Sequence, residues 1–273
     1  MLGSDLVEAL AGRDVTALTR AELDITDAAA VMAAVAGHDV VLNAAAYTRV
    51  DDAEIDEATA TLVNATAPGH LAAAAHATGA ILVQYSTDYV FDGSATFPYD
   101  EDAPLHPINA YGRSKAAGER AALDGNPWRT IVLRTAWIYG AHGPNFASTM
   151  LRLASERDTL SVVTDQLGQP TWTVDLASQT IALLDAGVVT GVYHATNSGT
   201  ASWFDFARAV LEGAGLDPDR VKPTESTSFV RPAPRPAYSV LGHDAWASTG
   251  IAPMRPWRDA LGEAQKTEIF GAQ

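Results

Sequence analysis

Hydrophobic and polar positions along this chain fall into two alternating patterns. Three short runs are apolar almost without interruption: Asp39-Val40-Val41-Leu42-Asn43, Ala80 to Ser86, and Thr130-Ile131-Val132-Leu133-Arg134. Runs of that length and continuity predict strands buried on both faces. Between them lie longer stretches with helical spacing. Ser4 to Leu10 carries Leu6, Val7 and Leu10 as its apolar positions, with acids at Asp5 and Glu8. Asp27 to Val35 reads as a helix capped by Asp27. Asp52 to Thr78 reads as one long alanine-rich helix, broken or kinked at Pro68. Pro107 to Leu123 reads as another helix, and Asp14 to Leu18 as a further short strand.

Strands that alternate with helices predict an α/β protein, a doubly wound parallel sheet covered on both faces. Ligands of such sheets bind beyond the carboxyl ends of the strands. The segments to inspect are therefore Asn43 to Tyr47, Ser86 to Tyr89, and Thr135 to Trp137. The second half changes character. Leu160 to Val163 and Gly191 to His194 are short strands, and Val174 to Leu184 and Trp203 to Gly213 are helices. Val230 to Pro236 is a proline-rich loop with two arginines. The expected organisation is a sheet domain over residues 1–140 to which 172–194 return, and a small second α/β lobe built from 141–171 and 195–273.

Composition narrows the function. Apolar residues make up 47% of the 273, enough for a large core. Lysine and arginine number 18 against 33 acids, a net charge of −15, which argues against nucleic acid held on a basic face. A small anion is not excluded, because local backbone donors hold phosphate even in an acidic protein. With no cysteine, disulfides, thiolate metal sites and cysteine nucleophiles drop out. No apolar run approaches the roughly 18 residues that span a bilayer, and no secretory signal is evident. A cytoplasmic protein without membrane contact is the expectation.

Candidate chemistry centres on Tyr111-Gly112-Arg113-Ser114-Lys115. Tyrosine and lysine four apart share one helix face, and an ammonium nearby is expected to lower the phenol pKa towards neutrality. Such a phenol could exchange a proton with a substrate oxygen. Taken alone, Tyr-x-x-x-Lys is a weak signal. Thr87, 24 residues upstream and just past a buried strand, strengthens it by placing a hydroxyl where the same oxygen could be bound.

In this context the chain resembles the extended, sugar-nucleotide-modifying branch of the short-chain dehydrogenase/reductases, and within it the dTDP-4-dehydrorhamnose reductases. The resemblance rests on Tyr85-Ser86-Thr87-Asp88-Tyr89-Val90-Phe91 followed by Asn109 to Lys115. Leu23 to Asp27, Asn43 to Thr48 with Val50-Asp51, Arg134 to Gly140, and Asp165 to Thr171 add to it. The matches run in order from residue 3 to about residue 260. The resemblance implies a Rossmann-type fold and reduction of the 4-keto group of dTDP-4-dehydro-6-deoxy-L-mannose to dTDP-L-rhamnose with a nicotinamide cofactor. Carried over by position, Tyr111 would protonate the developing alkoxide. Lys115 would lower the pKa of Tyr111 and bind the nicotinamide ribose, and Thr87 would hold the carbonyl oxygen. Asp88 and Trp137 match positions that contact the sugar nucleotide. Arg235 could meet its diphosphate bidentately, or serve only a loop-to-surface ion pair.

For the cofactor, Asp24 and Ile25 match positions beside the adenine, and Ala44, Ala45 and Ala46 match small residues that admit the dinucleotide. Without the resemblance, three alanines after a strand would be ordinary packing. Thr19 and Arg20 close the expected second strand with no acid beside them, which favours NADPH over NADH. The family opens with a strand and a Gly-x-x-Gly-x-x-Gly loop, of which Gly3, preceded by Met1 and Leu2, is the last glycine. The expectation is a chain that lacks the first strand and most of that loop, leaving a gap in the sheet. No metal ligand set is read from spacing. Magnesium, with a homodimer, enters by resemblance alone, through an acid near Asp5. The alternatives are a reductase or epimerase on another nucleotide sugar, and a non-catalytic NADP-binding regulatory subunit.

Overall fold

The computed structural model describes residues 1–267; the last residues of the expected second lobe, 268–273, lie outside the described residues. The first half runs α1 (Leu2–Ala9), α2 (Ala28–Val35), β1 (Val40–Asn43), α3 (Val50–Ala53), α4 (Glu57–Thr61), α5 (Ala67–Thr78), β2 (Ile81–Thr87), α6 (Ala110–Gly125), β3 (Thr130–Thr135) and β4 (Ile138–Tyr139). The second half adds α7 (Phe146–Glu156), β5 (Leu160–Val163), β6 (Leu167–Gly168), β7 (Thr171–Trp172), α8 (Thr173–Asp185), β8 (Gly191–His194), β9 (Ala201–Ser202), α9 (Trp203–Gly213), β10 (Val221–Thr224) and α10 (Trp257–Ala264).

The three continuous apolar runs became the centre of the molecule. Strands β1, β2, β3 and β8 lie side by side in that order, all parallel. Alternation along β2 explains why both its faces are buried. Ile81, Val83 and Tyr85 pack with Leu2 and Leu6 of α1 and Leu176 of α8. Leu82 points the other way, to Val31 and Val35 of α2, Leu71 and Ala75 of α5, and Ala122 of α6. Helices thus cover both faces, as a parallel sheet requires. A second apolar core joins Tyr139, Met150, Leu160, Trp172, Phe206, Val210 and Trp257. There β5 pairs with β10 in parallel, beside α9.

Two expected elements differ. Asp14 to Leu18 forms no strand, and every one of its residues is exposed. A strand exists only through a partner's backbone, and β1 is paired on one side only, to β2. The long helix expected over Asp52 to Thr78 is interrupted. Asp56 accepts the backbone N–H of Thr59 and so starts α4 afresh. A π-wound turn, Leu62–Thr66, then leads into α5, where Pro68 sits in the first turn. The wider turn absorbs the hydrogen bond that Pro68 cannot donate.

Candidate active site

The carboxyl end of β2 and the start of α6 meet at Thr87 and Tyr111. Two glycines let α6 approach so closely. A Cβ on Gly112 would stand 2.2 Å from the carbonyl oxygen of Tyr89, and one on Gly118 only 1.9 Å from that of Asn64. Asn109 starts the helix, its Oδ1 accepting the N–H of Gly112 at 2.7 Å. Thr87 is buried, and its Oγ1 accepts the Tyr89 N–H at 3.2 Å while donating to Asp88 Oδ1 at 3.0 Å. Tyr111 lies edge-on to Tyr89, with ring centroids 5.8 Å apart.

The electrostatics correct one expectation. The net shift of the Tyr111 phenol is upward, away from neutrality. Burial pushes Tyr111 up to about 12, a rise that the neighbouring Thr87 hydroxyl partly opposes. Although Tyr111 keeps part of its surface open, desolvation dominates. Lys115 is buried, and its Nζ donates to the carbonyl oxygen of Tyr85 at 2.6 Å. Burial lowers its pKa to about 8, against the opposing charge of Glu119. Glu119 itself is held by Arg134, with Nη2 to Oε2 at 2.8 Å, and by the Ser86 hydroxyl. That buried pair ties α6 to β3 directly beneath the site.

Trp137 follows β3 in the left-handed region, φ 46°, the one non-glycine residue with positive φ among the described residues. Such strain at a strand end is characteristic of functional sites. Its indole stacks on Trp203, centroids 3.6 Å apart, and a Cβ on Gly168 would lie 2.5 Å from its ring. Trp137 is therefore a partly buried aromatic at the rim of the second core.

The residues expected at the dinucleotide stand apart. Gly3 adjoins Ala44, where an added Cβ would meet the alanine Cβ at 3.8 Å; Leu2 beside it is buried. Ala44 and Ala45 are exposed and Ala46 partly so. Thr19, Arg20 and Asp24 are all exposed, and Ile25 packs under α2 and α5. Thr19 donates through N and Oγ1 to Glu22, and Asp24 accepts from Thr26. Arg235 is already engaged: its Nη1 donates to Asp51 Oδ1 at 2.7 Å, and Arg231 reaches the same carboxylate at 3.3 Å. Both arginines of the 230s loop thus pair with one carboxylate. Asp51 is held below the usual carboxylate range, chiefly by Arg235.

One group of three metal-type ligands occurs among the described residues, at Asp5, Glu8 and His142, with donor atoms within 4.8 Å of one another. Magnesium prefers an octahedron of oxygens. The imidazole of His142 is a poor ligand for it.

Sequence reasoning missed Asn64. From the π-wound turn it accepts the N–H of Tyr47 at 2.8 Å, and donates to Tyr47 O and Ser114 Oγ at 3.0 Å. It fastens the loop after β1 to the helix of Tyr111 and Lys115. Its signal was a lone amide inside an alanine-rich stretch. Glu54 accepts the Ala110 N–H at 2.7 Å and braces the same helix.

The profile of the RmlD substrate binding domain family matches residues 1–269. The chain belongs to this family. It is 51% identical over 272 residues to dTDP-4-dehydrorhamnose reductase of Streptomyces griseus, covering 97% of this chain and 90% of that protein. A Mycobacterium tuberculosis protein of the same name is 49% identical over 270 residues, 96% of this chain and 88% of the relative. Among solved structures, a dTDP-4-dehydrorhamnose reductase of Clostridium acetobutylicum superposes with a TM-score of 0.93 at 40% identity, covering 97% of this chain and 95% of that one. The Bacillus anthracis enzyme of that name, solved in complex with NADP, also gives 0.93, at 37% identity, over 96% and 94% of the two chains. Among the described residues, no helix is long and apolar enough to cross a membrane.

Proposed function

We propose that Thr87, Tyr111 and Lys115 are the catalytic set with which this reductase converts the 4-keto group of dTDP-4-dehydro-6-deoxy-L-mannose to the alcohol of dTDP-L-rhamnose. The family, and relatives near 50% identity that carry the reductase name, make the chain an oxidoreductase acting on a nucleotide-sugar ketone. The observation that supports the residue roles best is the meeting of a buried threonine hydroxyl and a tyrosine phenol at the carboxyl end of β2, one helical turn from a buried lysine.

A nicotinamide cofactor, when bound, supplies the hydride that reaches C4. Small exposed residues at Ala44 and Ala45, beside Gly3 at the start of α1, fit a dinucleotide. As the carbonyl π bond opens, Tyr111 delivers its proton to the oxygen, so one C–H and one O–H bond form. With its pKa pushed up, Tyr111 is fully protonated at neutral pH and ready to donate. The transfer still runs downhill, because an alkoxide is more basic than a phenolate. Lys115, charged at pH 7, stabilises the tyrosinate left behind. Trp137 lines the sugar, Asp88 sits buried behind Thr87, and water refills the phenol. Arg20 supports NADPH, with NADH the weaker alternative. Residues 1–140 with 172–194 form the dinucleotide domain, and 141–171 with 195–273 the substrate lobe.

A second reading concerns the sugar. A Streptomyces antibioticus relative 53% identical is named as a probable 4-ketoreductase of dTDP-4,6-dihydroxy-2-methyloxan-3-one, and a Streptomyces niveus relative at 49% as dTDP-4-keto-6-deoxy-D-glucose reductase. The test is NADPH oxidation with each dTDP-4-keto sugar in turn. Fastest turnover of the L-mannose derivative is expected; preference for another sugar moves the substrate assignment, and no oxidation with any overturns the catalytic reading.

A further inference from the structure

Thr87 can hold a carbonyl oxygen only by donating a hydrogen bond to it. A threonine hydroxyl has one proton and two lone pairs. Here one lone pair takes the Tyr89 N–H, and the proton is already given to Asp88 Oδ1. An ionised carboxylate can only accept. While Asp88 is charged, the single proton of Thr87 is turned away from any substrate. A neutral Asp88 reverses the bond: its O–H donates to the remaining lone pair, and the Thr87 proton becomes free.

The surroundings of Asp88 are built for that neutral form. It is 2% exposed, and its Oδ2 has no hydrogen-bond partner. A buried carboxylate with an unanswered oxygen is costly while charged. The groups facing it are Tyr89 on its own turn, Tyr111 on α6, and Ser239 on the C-terminal loop; the Ser239 and Thr87 hydroxyls oppose the rise that burial causes, and burial outweighs them. The charges nearest this cluster, Arg235 and Asp51, act on Tyr89 and neutralise each other.

Resting on the reductase reading above, we infer that Asp88 is a positioning residue whose neutral form aims the Thr87 hydroxyl at the substrate carbonyl and whose ionisation turns it away. Burial raises the Asp88 carboxyl to about 6, so the switch falls inside the working range. Lys115 titrates higher, near 8, and leaves the window below about pH 7.5 clear.

The test is the pH dependence of kcat/KM between pH 5 and 7.5 for wild type, Asp88→Asn and Thr87→Val, with the titration of the Asp88 carboxyl followed by carbon-13 NMR in the wild type. The wild type should lose about tenfold per pH unit above the carboxyl's titration. Asp88→Asn, which cannot ionise, should be flat within about threefold. Residual turnover of Thr87→Val should be flat as well, because Asp88 acts through Thr87. A wild-type limb that persists in either variant overturns the inference, and so does a carboxyl that titrates near 4. The NMR arm decides even if both variants fold poorly. Absence of turnover in the wild type instead overturns the reductase reading, so the two failures are distinguishable.

Discussion

The two candidate regions, the proposed proton-transfer residues and the proposed cofactor residues, are built in opposite ways. In the first, Thr87, Asp88, Lys115, Glu119 and Arg134 are almost wholly buried and joined by hydrogen bonds among β2, β3 and α6. In the second, Thr19, Arg20 and Asp24 lie in solvent and bond only to near neighbours in sequence. The difference separates two tasks. On the proposed assignment, proton chemistry has groups fixed in a low dielectric, whereas the proposed dinucleotide contacts are surface donors free to close on a ligand. Substitutions in the buried region should therefore register in stability as well as rate, and those in the exposed region only in cofactor choice.

The largest effect is expected at the buried pair. Arg134→Ala leaves Glu119 unpaired beneath α6 and should cost about 3–5 kcal/mol in urea unfolding. An unchanged midpoint would mean that the catalytic region is not held from below. Lys115→Met should act in the other direction. The folded pKa of Lys115 is depressed, so below pH 8 the fold carries the cost of a buried charge, a cost relieved as pH rises towards the unfolded value near 10.5. The variant should be more stable than wild type by about 2–3 kcal/mol at pH 7 while losing turnover, and its advantage should vanish above about pH 10. Loss of stability at pH 7 would contradict the burial argument. Asn109→Ala removes the cap of α6 and should cost about 1 kcal/mol, read as a lower melting temperature. Smallest of all, Arg20→Ala should leave the melting temperature unchanged and lower the NADPH-to-NADH preference several-fold. A preserved preference would remove Arg20 from the cofactor site.

The buried region was the more legible in sequence, for the same physical reason that it is rigid. Unbroken apolar runs and the Asn109 to Lys115 segment are local signals, and β1, β2, β3 and α6 followed from them. What escaped depends on partners distant in sequence. Asp14 to Leu18 has strand-like residues, but a strand needs a neighbouring ladder. Arg235 offered two readings, a diphosphate contact or a loop ion pair, and only the fold puts Asp51 beside it. The spacing of Tyr111 and Lys115 gave their shared helix face, yet not their depth, and depth reversed the expected shift of the phenol. The stack of Trp137 on Trp203 joins a strand end to a helix 66 residues later, which no local pattern records.

The central claim is that Tyr111 supplies the proton for carbonyl reduction. Tyr111→Phe keeps the ring against Tyr89 and removes only the hydroxyl. The most direct measurement is NADPH-dependent turnover of dTDP-4-dehydro-6-deoxy-L-mannose by this variant, beside calorimetric binding of dTDP-L-rhamnose. Turnover should fall by roughly 10²–10⁴-fold with binding nearly unchanged. A variant that turns over at the wild-type rate would show that the proton comes from elsewhere.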